Sequence, residues 1–370
     1  MRKLFICSEF YAGMLPFGAN IVNSMRGDDC FGIFVCTPQC DYRKVLVANG
    51  SNYIFIDFPE NKLKKIQRYI YPLELINTIK SVCQENDIQI IHLLTEDSSL
   101  AFFIKYLKLR AKVYYTVHDL FSHEKIYKNL LILILRKVLV DFRVSYIIKR
   151  TENLVTCNQF QYDCLLKRFP AKQIHFHNFP SLITETIKSG GVVVPELQGI
   201  ENYILFFGMI ERYKGVDILY DAYLNHAGLT GKTLVIAGKG HIYFKRSEAR
   251  ENQVIFINRY IRDEEIKFLF TKAYCAVFPY ISGTQSGILS LPYFFKTPTI
   301  VSDIPFFKGM ILNNITSASF HLHDKSSLMT QITELNELNI EKFKNEAYLF
   351  YQNKYDASII KQQLKRIYNE

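Results

Sequence analysis

Three apolar runs, each leading into a turn that contains glycine, decide the fold of this chain: YILFFG at 203–208, TLVIAG at 233–238, and CAVFPY at 275–280, which continues as SGTQSGILSL at 282–291. Short, continuous apolar runs predict strands of a parallel sheet that is buried on both faces. Glycine lets the backbone of the turn approach an anion closely, and a helix that follows adds the positive end of its dipole. Three such turns in one unit predict a pocket for a nucleotide diphosphate.

The alternation of apolar strand and helix-length segment occurs in both halves of the chain. The predicted strands are 4–7, 32–36, 53–58, 88–94, 113–117 and 154–157 in the first half, and 203–207, 234–237, 254–257, 275–278 and 299–301 in the second. This pattern predicts an α/β chain with two doubly wound Rossmann-like domains. The predicted boundaries are 1–180 for the N-terminal domain, 181–200 for a linker, 201–345 for the C-terminal domain and 346–370 for a C-terminal helix.

Length and composition agree with two domains. The chain has 370 residues, of which 49% are hydrophobic, enough for two cores of ordinary size. The N-terminal residues run directly into an apolar strand, and no apolar run reaches the roughly 18 residues of a membrane span. The eight cysteines lack the paired spacing of a zinc site. We therefore expect a cytoplasmic protein with reduced, packed thiols.

The charge of the chain is strongly basic, with 45 Lys and Arg against 35 Asp and Glu, or +10 with neutral histidines. This excess suits a nucleic acid, an anionic membrane or a phosphorylated substrate. Much of it lies in residues 125–150, where cations recur at helical spacing beside apolar residues: Lys125, Lys128, Arg136, Arg143 and Arg150. Two interpretations stay open, a basic amphipathic helix at a membrane surface and a core helix whose cations reach solvent. Nucleic acid is disfavoured because exposed aromatics do not alternate with these cations.

Four segments carry a resemblance to a known family: GMIERYKGVDILYDA at 208–222, LVIAGKG at 234–240, INRYIRDEEIKFLFTKAYCAVFPY at 257–280 and TQSGILSLPYFFKTPTIVSD at 284–303. They resemble the C-terminal half of the GT-B glycosyltransferases of retaining family four. The resemblance implies two Rossmann-like domains that face a cleft, with the acceptor on the N-terminal side and the nucleotide sugar on the C-terminal side. It also implies transfer of a sugar with retention, no metal or other cofactor, a UDP- or GDP-linked sugar as co-substrate, and a last helix that crosses back to the N-terminal domain.

The resemblance also assigns roles to residues. Lys214 is similar to the lysine that binds the donor's phosphates, and His118 to a histidine that faces the donor sugar; these two are the catalytic candidates. The remaining candidates would bind the donor: Gly18, Gly208, Arg212, Gly238, Gly240, Asn258, Tyr260, Ile261, Thr284, Gln285, Ser286, Gly287 and Ile288.

Most of these residues have both an expected contact with the donor and a simpler structural role as the alternative. We expect Ser286, Gly287 and Ile288 to open a helix that aims N–H groups at the diphosphate, and the alternative is an ordinary helix cap. Thr284 and Gln285 would bond hydroxyls or phosphate oxygens. Asn258, Tyr260 and Ile261 would hold the base, and a loop role is the alternative. Gly18 would form a phosphate-approaching loop or a simple turn, and His118 alone is equally compatible with a structural histidine.

Departures from the family pattern matter as well. Two glutamates of the family are replaced by Thr284 and Pro292, and Met209 stands where an arginine is common, so that Arg212 would have to substitute.

From these features we predict a membrane-associated retaining glycosyltransferase at the inner face of the membrane, acting on a lipid-linked saccharide in surface polysaccharide synthesis. The alternatives are a catalytically silent homologue that supports a partner enzyme and a nucleotide-sugar epimerase of the same fold.

Overall fold

The computed structural model describes residues 1–9, 14–27, 29–49, 52–120, 140–247, 251, 253–335 and 337–369. These residues form two compact units. The first unit takes the described residues up to Pro180 together with the last helix, and the second takes Ser181–Asp356.

The first unit is built on a parallel sheet of seven strands in the order β3-β2-β1-β4-β5-β6-β7. Its strands are β1 (Lys3–Cys7), β2 (Cys30–Cys36), β3 (Tyr53–Asp57), β4 (Ile90–Leu93), β5 (Lys112–Thr116), β6 (Asn153–Thr156) and β7 (Gln173–Phe176). Its α-helices are α1 (Leu15–Met25), α2 (Asp41–Asn49), α3 (Lys62–Ile70), α4 (Leu73–Asn86), α5 (Ile104–Lys108), α6 (Phe142–Arg150), α7 (Gln159–Arg168) and α14 (Ala357–Asn369).

The second unit has a parallel sheet of six strands in the order β10-β9-β8-β11-β12-β13. Its strands are β8 (Tyr203–Phe207), β9 (Leu234–Ala237), β10 (Val254–Ile257), β11 (Ala273–Phe278), β12 (Thr299–Ser302) and β13 (Ala318–Phe320). Its α-helices are α8 (Glu185–Ser189), α9 (Val216–Thr230), α10 (Asp263–Thr271), α11 (Ser290–Phe294), α12 (Lys325–Thr333) and α13 (Glu337–Tyr355).

The predicted fold class is confirmed in both units. Central strands such as β1 and β8 are almost entirely buried, because each is an unbroken apolar run covered on both faces. The sheet orders, in which the chain starts in the middle and winds outward to both edges, are those of doubly wound folds. Ligands of such folds collect at the carboxyl ends of the strands.

The predicted linker at 181–200 is wrong, because this segment is part of the second unit. It forms α8 and a 3₁₀ turn at Pro195–Leu197, and Ile187, Val194 and Leu197 are buried in that unit's core. The buried apolar residues before, between and after the glycines and the proline pack the segment against the second unit's core. The C-terminal residues divide at Asp356, where α13 of the second unit ends and α14 of the first unit begins.

Helix α14 packs on one face of the first sheet through buried apolar side chains, among them Leu364 and Ile367. Two hydrogen bonds fix its end: His92 Nδ1 lies 2.6 Å from Tyr368 Oη, and Tyr114 Oη donates to Ile367 O over 3.2 Å. The other ring nitrogen of His92 lies 2.9 Å from Thr116 Oγ1. Both nitrogens are therefore used inside the core, where a charged imidazolium would be costly.

Burial keeps two histidines of the first unit neutral. It lowers the pKa of His92 well below the usual 6.5, with a smaller contribution from His177, and it lowers the pKa of His177 to about 4. A histidine whose pKa is depressed by folding binds protons more readily in the unfolded chain. Its contribution to stability is therefore present above about pH 6.5 and is lost as the pH falls below that value.

We predict that acidification from pH 7 to pH 5 lowers the free energy of unfolding by roughly 2 kcal/mol for each of these two histidines. Urea unfolding at a series of pH values measures this quantity. The variant His92→Gln removes one titrating group, so its change in unfolding free energy between pH 7 and pH 5 should differ from that of the natural chain by roughly 2 kcal/mol, even if the variant is less stable at every pH. A variant curve that runs parallel to that of the natural chain would contradict the assignment.

Candidate functional site

The turns after β8 and β9 touch through their backbones because both positions are glycine. Gly208 and Gly238 have φ of +134° and +147°, which L side chains rarely adopt. A Cβ on Gly238 would lie 2.1 Å from Gly208 O, and one on Gly240 would lie 2.4 Å from Ile210 O. The pairing of the two strands thus continues past their ends, through Gly208 N–H to Ala237 O and an isolated bridge between Ile210 and Gly240.

Lys214 lies directly beside these turns. Its Nζ would be 3.0 Å from a Cβ on Gly208 and lies 5.8 Å from the ring centres of both Tyr213 and Tyr280. Among the described residues, no carboxylate lies within ion-pair distance of this ammonium group. Burial lowers the pKa of Lys214 to about 8, and Glu211 opposes the shift. The result is a half-buried, partly desolvated cation at the carboxyl end of a parallel sheet.

The chain around Lys214 is held in place by a second glycine contact. Gly215, with φ of +62°, allows the loop to pass so close to Pro279 O that a Cβ would lie 2.0 Å from it. Tyr213 O also accepts the N–H of Ile281 over 2.7 Å. These contacts tie the Lys214 loop to the end of β11. Helix α9 begins immediately after Gly215, so its N-terminal dipole lies next to the ammonium group.

The Asn258 side chain is committed to the neighbouring turn. Its Oδ1 accepts the N–H of Gly240 over 3.0 Å, and its Nδ2 donates to Gly240 O over 3.0 Å. Ile261 is buried, at 6% exposure, whereas Tyr260 is 62% exposed. Of the three residues predicted to hold the base, Asn258 and Ile261 therefore serve the fold, and only Tyr260 presents its ring to solvent.

An ion-pair network that sequence reasoning missed supports the same loop. Arg259 makes two hydrogen bonds of 2.8–2.9 Å to each of Glu196 and Glu265. Burial alone would raise the pKa of Glu265, but bonds from Arg259 and Arg262 outweigh it and lower that pKa to about 2. The run Asp263–Glu264–Glu265 was the available signal, because carboxylates in the first turn mark a helix N-terminus.

The prediction that Ser286, Gly287 and Ile288 open a helix is wrong. Helix α11 begins at Ser290, has five residues and contains Pro292. A helix that began at Ser286 would place Pro292 in its interior, where the missing N–H and the ring clash cost about 3 kcal/mol. Ser286 Oγ instead accepts the N–H of Ile288 over 3.2 Å.

The remaining residues of this segment form a partly buried loop. Thr284 is buried, at 7% exposure, and Gln285 and Ser286 are half-buried. Gly283 packs so closely on Phe306 that a Cβ would lie 2.6 Å from the ring. Pro292 is buried. Its side chain has no polar group, so it cannot make the hydrogen bonds of the glutamate that the resembling family has at this position. Near the β8 end, Arg212 and Met209 are exposed.

The two candidates of the first unit have different surroundings. Gly18 lies in the first turns of α1, not in a loop, and its N–H donates to Met14 O over 2.9 Å. Pro16 explains the difference, because proline is favoured at the start of a helix. His118 follows β5 at the carboxyl edge of the sheet, is 4% exposed, and lies 2.6 Å through Nε2 from Leu94 O. Its ring meets Phe17 edge-on at 4.9 Å.

A second polar cluster at this edge was not predicted. Glu9 Oε1 accepts the Oγ–H of Ser98 over 2.5 Å, and Ser98 Oγ lies 2.6 Å from Tyr69 Oη. Burial, with help from Glu96, raises the pKa of Glu9 to about 8. Asp97 is fully buried and accepts the N–H groups of Ser8 and Thr95, each over 2.8 Å.

The basic stretch at 125–150 is described only in part, since Lys125, Lys128 and Arg136 lie outside the described residues. Arg143 does not belong to a solvent-facing row of cations, because it is 5% exposed. Its guanidinium lies over the rings of Tyr69 and Phe102, at 4.8 Å and 5.1 Å, and donates to Tyr69 O. Arg150 lies over the ring of Tyr146 at 5.3 Å. Arg143 therefore packs into the unit, which corrects its assignment to a membrane-facing surface.

None of the helices that the structure describes combines the length and apolar character needed to cross a bilayer. Within the described part of the chain, no three His, Cys, Asp or Glu residues are grouped so as to hold a metal ion. All eight cysteines are free thiols, and six of them are buried.

We predict that Gly238→Ala costs more than about 3 kcal/mol of unfolding free energy, because the new methyl group meets a backbone carbonyl at a strained φ. Gly231→Ala is the matched control. Gly231 also has a left-handed φ of +58°, but a Cβ there would have no neighbour within 4 Å, so the cost should stay at about 1–2 kcal/mol. Urea unfolding of the two variants gives the comparison, and equal costs would contradict the close approach of the two turns.

The part of the chain that contains these turns matches a known protein family. Residues 201–337 match the family model for glycosyl transferases group 1. No curated protein sequence matches the chain significantly.

Several solved structures share the whole fold. Anabaena HepE in complex with UDP and glucose aligns with a TM-score of 0.73 at 13% identity, covering 100% of this chain and 99% of that one. Sucrose-phosphate synthase from Thermosynechococcus elongatus aligns with a TM-score of 0.71 at 13% identity, covering 100% and 98%. WaaG, a glycosyltransferase involved in lipopolysaccharide biosynthesis, aligns with a TM-score of 0.66 at 13% identity, covering 100% of both chains. The resemblance of this chain to group 1 glycosyltransferases is therefore confirmed, by the family model over residues 201–337 and by the GT-B fold over the whole chain.

Proposed function

We propose that the chain is a retaining, metal-independent glycosyltransferase that moves a sugar from a UDP- or GDP-linked donor to a lipid-linked saccharide. We place this reaction at the cytoplasmic face of the membrane, in the synthesis of a surface polysaccharide. The observation that carries the proposal is the Lys214 ammonium group, which lies at the carboxyl edge of the second sheet beside two backbone turns. The group 1 family match covers this loop, and UDP in HepE and the lipopolysaccharide role of WaaG support the choice of donor and acceptor.

The chemistry follows from where charge develops. As the bond between sugar and diphosphate breaks, the leaving diphosphate gains negative charge. A fixed cation stabilises that charge more in the transition state than in the ground state. The partly desolvated surroundings of Lys214 strengthen this interaction. The N-terminus of α9 contributes in the same direction.

The other donor-site candidates differ in the structural observations that support a role for them. Gly208, Gly238 and Gly240 shape the backbone of the turns, and Asn258 holds Gly240 in position. Tyr260 is the candidate that contacts the base through its exposed ring, and Arg212 is a second cation near the diphosphate. His118 stays a prediction as the contact to the donor sugar.

We predict that Lys214→Met lowers kcat/KM by roughly a hundredfold to a thousandfold, the range found when one transition-state charge contact is removed. Lys232→Met is the matched control, because Lys232 also lies over a tyrosine ring, at 4.0 Å from Tyr274, but precedes β9 at the opposite edge of the sheet. Steady-state rates with the donor that the chain uses give the comparison. Equal losses in the two variants would contradict the role of Lys214.

The pH dependence of nucleotide binding provides a separate prediction. Because the pKa of Lys214 is lowered to about 8, the affinity for UDP or GDP should be highest below pH 8 and fall as the pH rises above it. Lys214→Arg keeps its charge, so its affinity should not show this fall. Calorimetric titration between pH 6.5 and 9.5 measures both curves. The same decline in both proteins would place the titrating group elsewhere.

The activity itself is tested with the full chain, a panel of UDP- and GDP-sugars and a lipid-linked saccharide. We expect transfer from one donor with the anomeric configuration retained, which NMR of the product establishes. Absence of nucleotide binding across the whole panel would rule out the proposal.

A catalytically silent homologue that supports a partner enzyme is the second candidate. The observation that favours it is the buried Pro292, together with Thr284, where the family has glutamates. Nucleotide binding with no transfer and no donor hydrolysis would identify this function. Release of an epimerised nucleotide sugar without an acceptor would instead identify an epimerase.

A further inference from the structure

Helix α3 exposes its apolar side chains, and its residues Lys64, Lys65 and Gln67 are exposed as well. A surface helix normally buries its apolar side and exposes its polar side. In α3 and the residues after it, large apolar side chains face solvent: Leu63 is 77% exposed, Ile66 54%, Ile70 36%, Tyr71 65% and Leu73 61%. We call these five residues the α3 apolar face.

Two residues near the end of α3, Arg68 and Tyr69, attach the helix to the first unit. Tyr69 Oη lies 2.6 Å from Ser98 Oγ, and Tyr69 O accepts from Arg143 over 2.9 Å. Arg68 donates to Asp57 O and pairs with Glu74 over 3.4 Å. The orientation of the helix is therefore fixed by specific bonds, and its apolar face is held outward.

The charges along this segment are mostly positive, with the exposed Glu60 and Glu74 at its two ends. Residues 61–73 contain Lys62, Lys64, Lys65 and Arg68 and no Asp or Glu. Lys64 and Lys65 are exposed, so their charges are available at the surface. A row of exposed apolar side chains flanked by lysines fits the interface of an anionic bilayer, where the apolar groups enter the acyl boundary and the cations meet head groups.

We propose that the α3 apolar face docks the chain on an anionic lipid surface. This inference rests on the proposed function, because a lipid-linked acceptor requires the enzyme to work at a membrane. It assigns a membrane contact to residues 62–73, in addition to the one predicted for residues 125–150, of which only Arg143 is shown to pack into the unit. A protein partner is less well matched, because the cores of protein interfaces are depleted in lysine.

The chain contains no tryptophan, so a single introduced tryptophan reports on its own surroundings. Ile66→Trp should show a blue shift of its emission when the full chain meets vesicles of equal parts phosphatidylglycerol and phosphatidylcholine. Leu109→Trp is the matched control, since Leu109 is 87% exposed in the same unit but outside α3, and its emission should stay unchanged. No shift at position 66, or equal shifts at both, would overturn the proposal.

Co-sedimentation with the same vesicles tests the energetics. The triple variant L63S/I66S/I70S should bind at least roughly tenfold more weakly, while Leu109→Ser should bind as the natural chain does. The double variant K64E/K65E should lose binding to these vesicles by roughly tenfold, and Lys80→Glu, an exposed lysine of α4, should not. Binding by the triple variant equal to that of the natural chain would overturn the proposal.

Two further measurements on the triple variant separate the possible explanations. Stabilisation by UDP or GDP in a thermal-shift assay should be unchanged, which shows that lost vesicle binding is not lost folding or lost donor binding. If the natural chain itself fails to bind any nucleotide, the proposed function fails while the vesicle result still decides the docking surface. Concentration-dependent dimerisation that the triple variant abolishes would assign the face to a second copy of the chain and overturn the lipid proposal.

Discussion

The proposed chemistry of the second unit depends on one ammonium group that stays charged in a place where water cannot fully solvate it. Lys214 lies beside Gly208 and near the faces of two tyrosine rings, and no carboxylate of the described residues neutralises it. A desolvated cation of this kind is costly for the folded protein, as its lowered pKa shows. An anionic ligand would relieve that cost, so we expect the feature that lowers stability to favour the binding of the proposed diphosphate.

The fold meets this requirement by making the strand ends of the second sheet stiff. Close backbone contacts at Gly208, Gly215 and Gly238 replace side-chain packing, and the amide of Asn258 joins one turn to the next. The Arg259 network braces the adjoining loop with two carboxylates. Such preorganisation matters because electrostatic stabilisation is effective only when the charged group does not have to rearrange during the reaction.

The sequence predicted most strands correctly, but it did not predict which side chains contact one another or which face of a helix is exposed. Strands β8, β9 and β10 have the predicted bounds, because each is a short, unbroken apolar run. Strands β7 and β13 were not predicted, since QIHF and ASF are short and carry polar residues. Gly208, Gly238 and Gly240 hold the strained or crowded positions that glycine permits. Gly18 does not, because Pro16 starts a helix there. The Asn258 side chain bonds to Gly240 in the folded protein. A local sequence pattern does not predict such a bond, because it depends on neighbours in three dimensions. The exposure of the apolar side chains of α3 was equally hidden, because periodicity reveals that a helix is amphipathic but not which side faces the core.

The most direct test of the central claim is a crystal structure of the full chain with UDP or GDP bound. We expect a phosphate oxygen at about 3 Å from Lys214 Nζ, with the diphosphate against the backbone of the turns at Gly208 and Gly238. A nucleotide bound elsewhere, with Lys214 still making no contact to a phosphate, would contradict it.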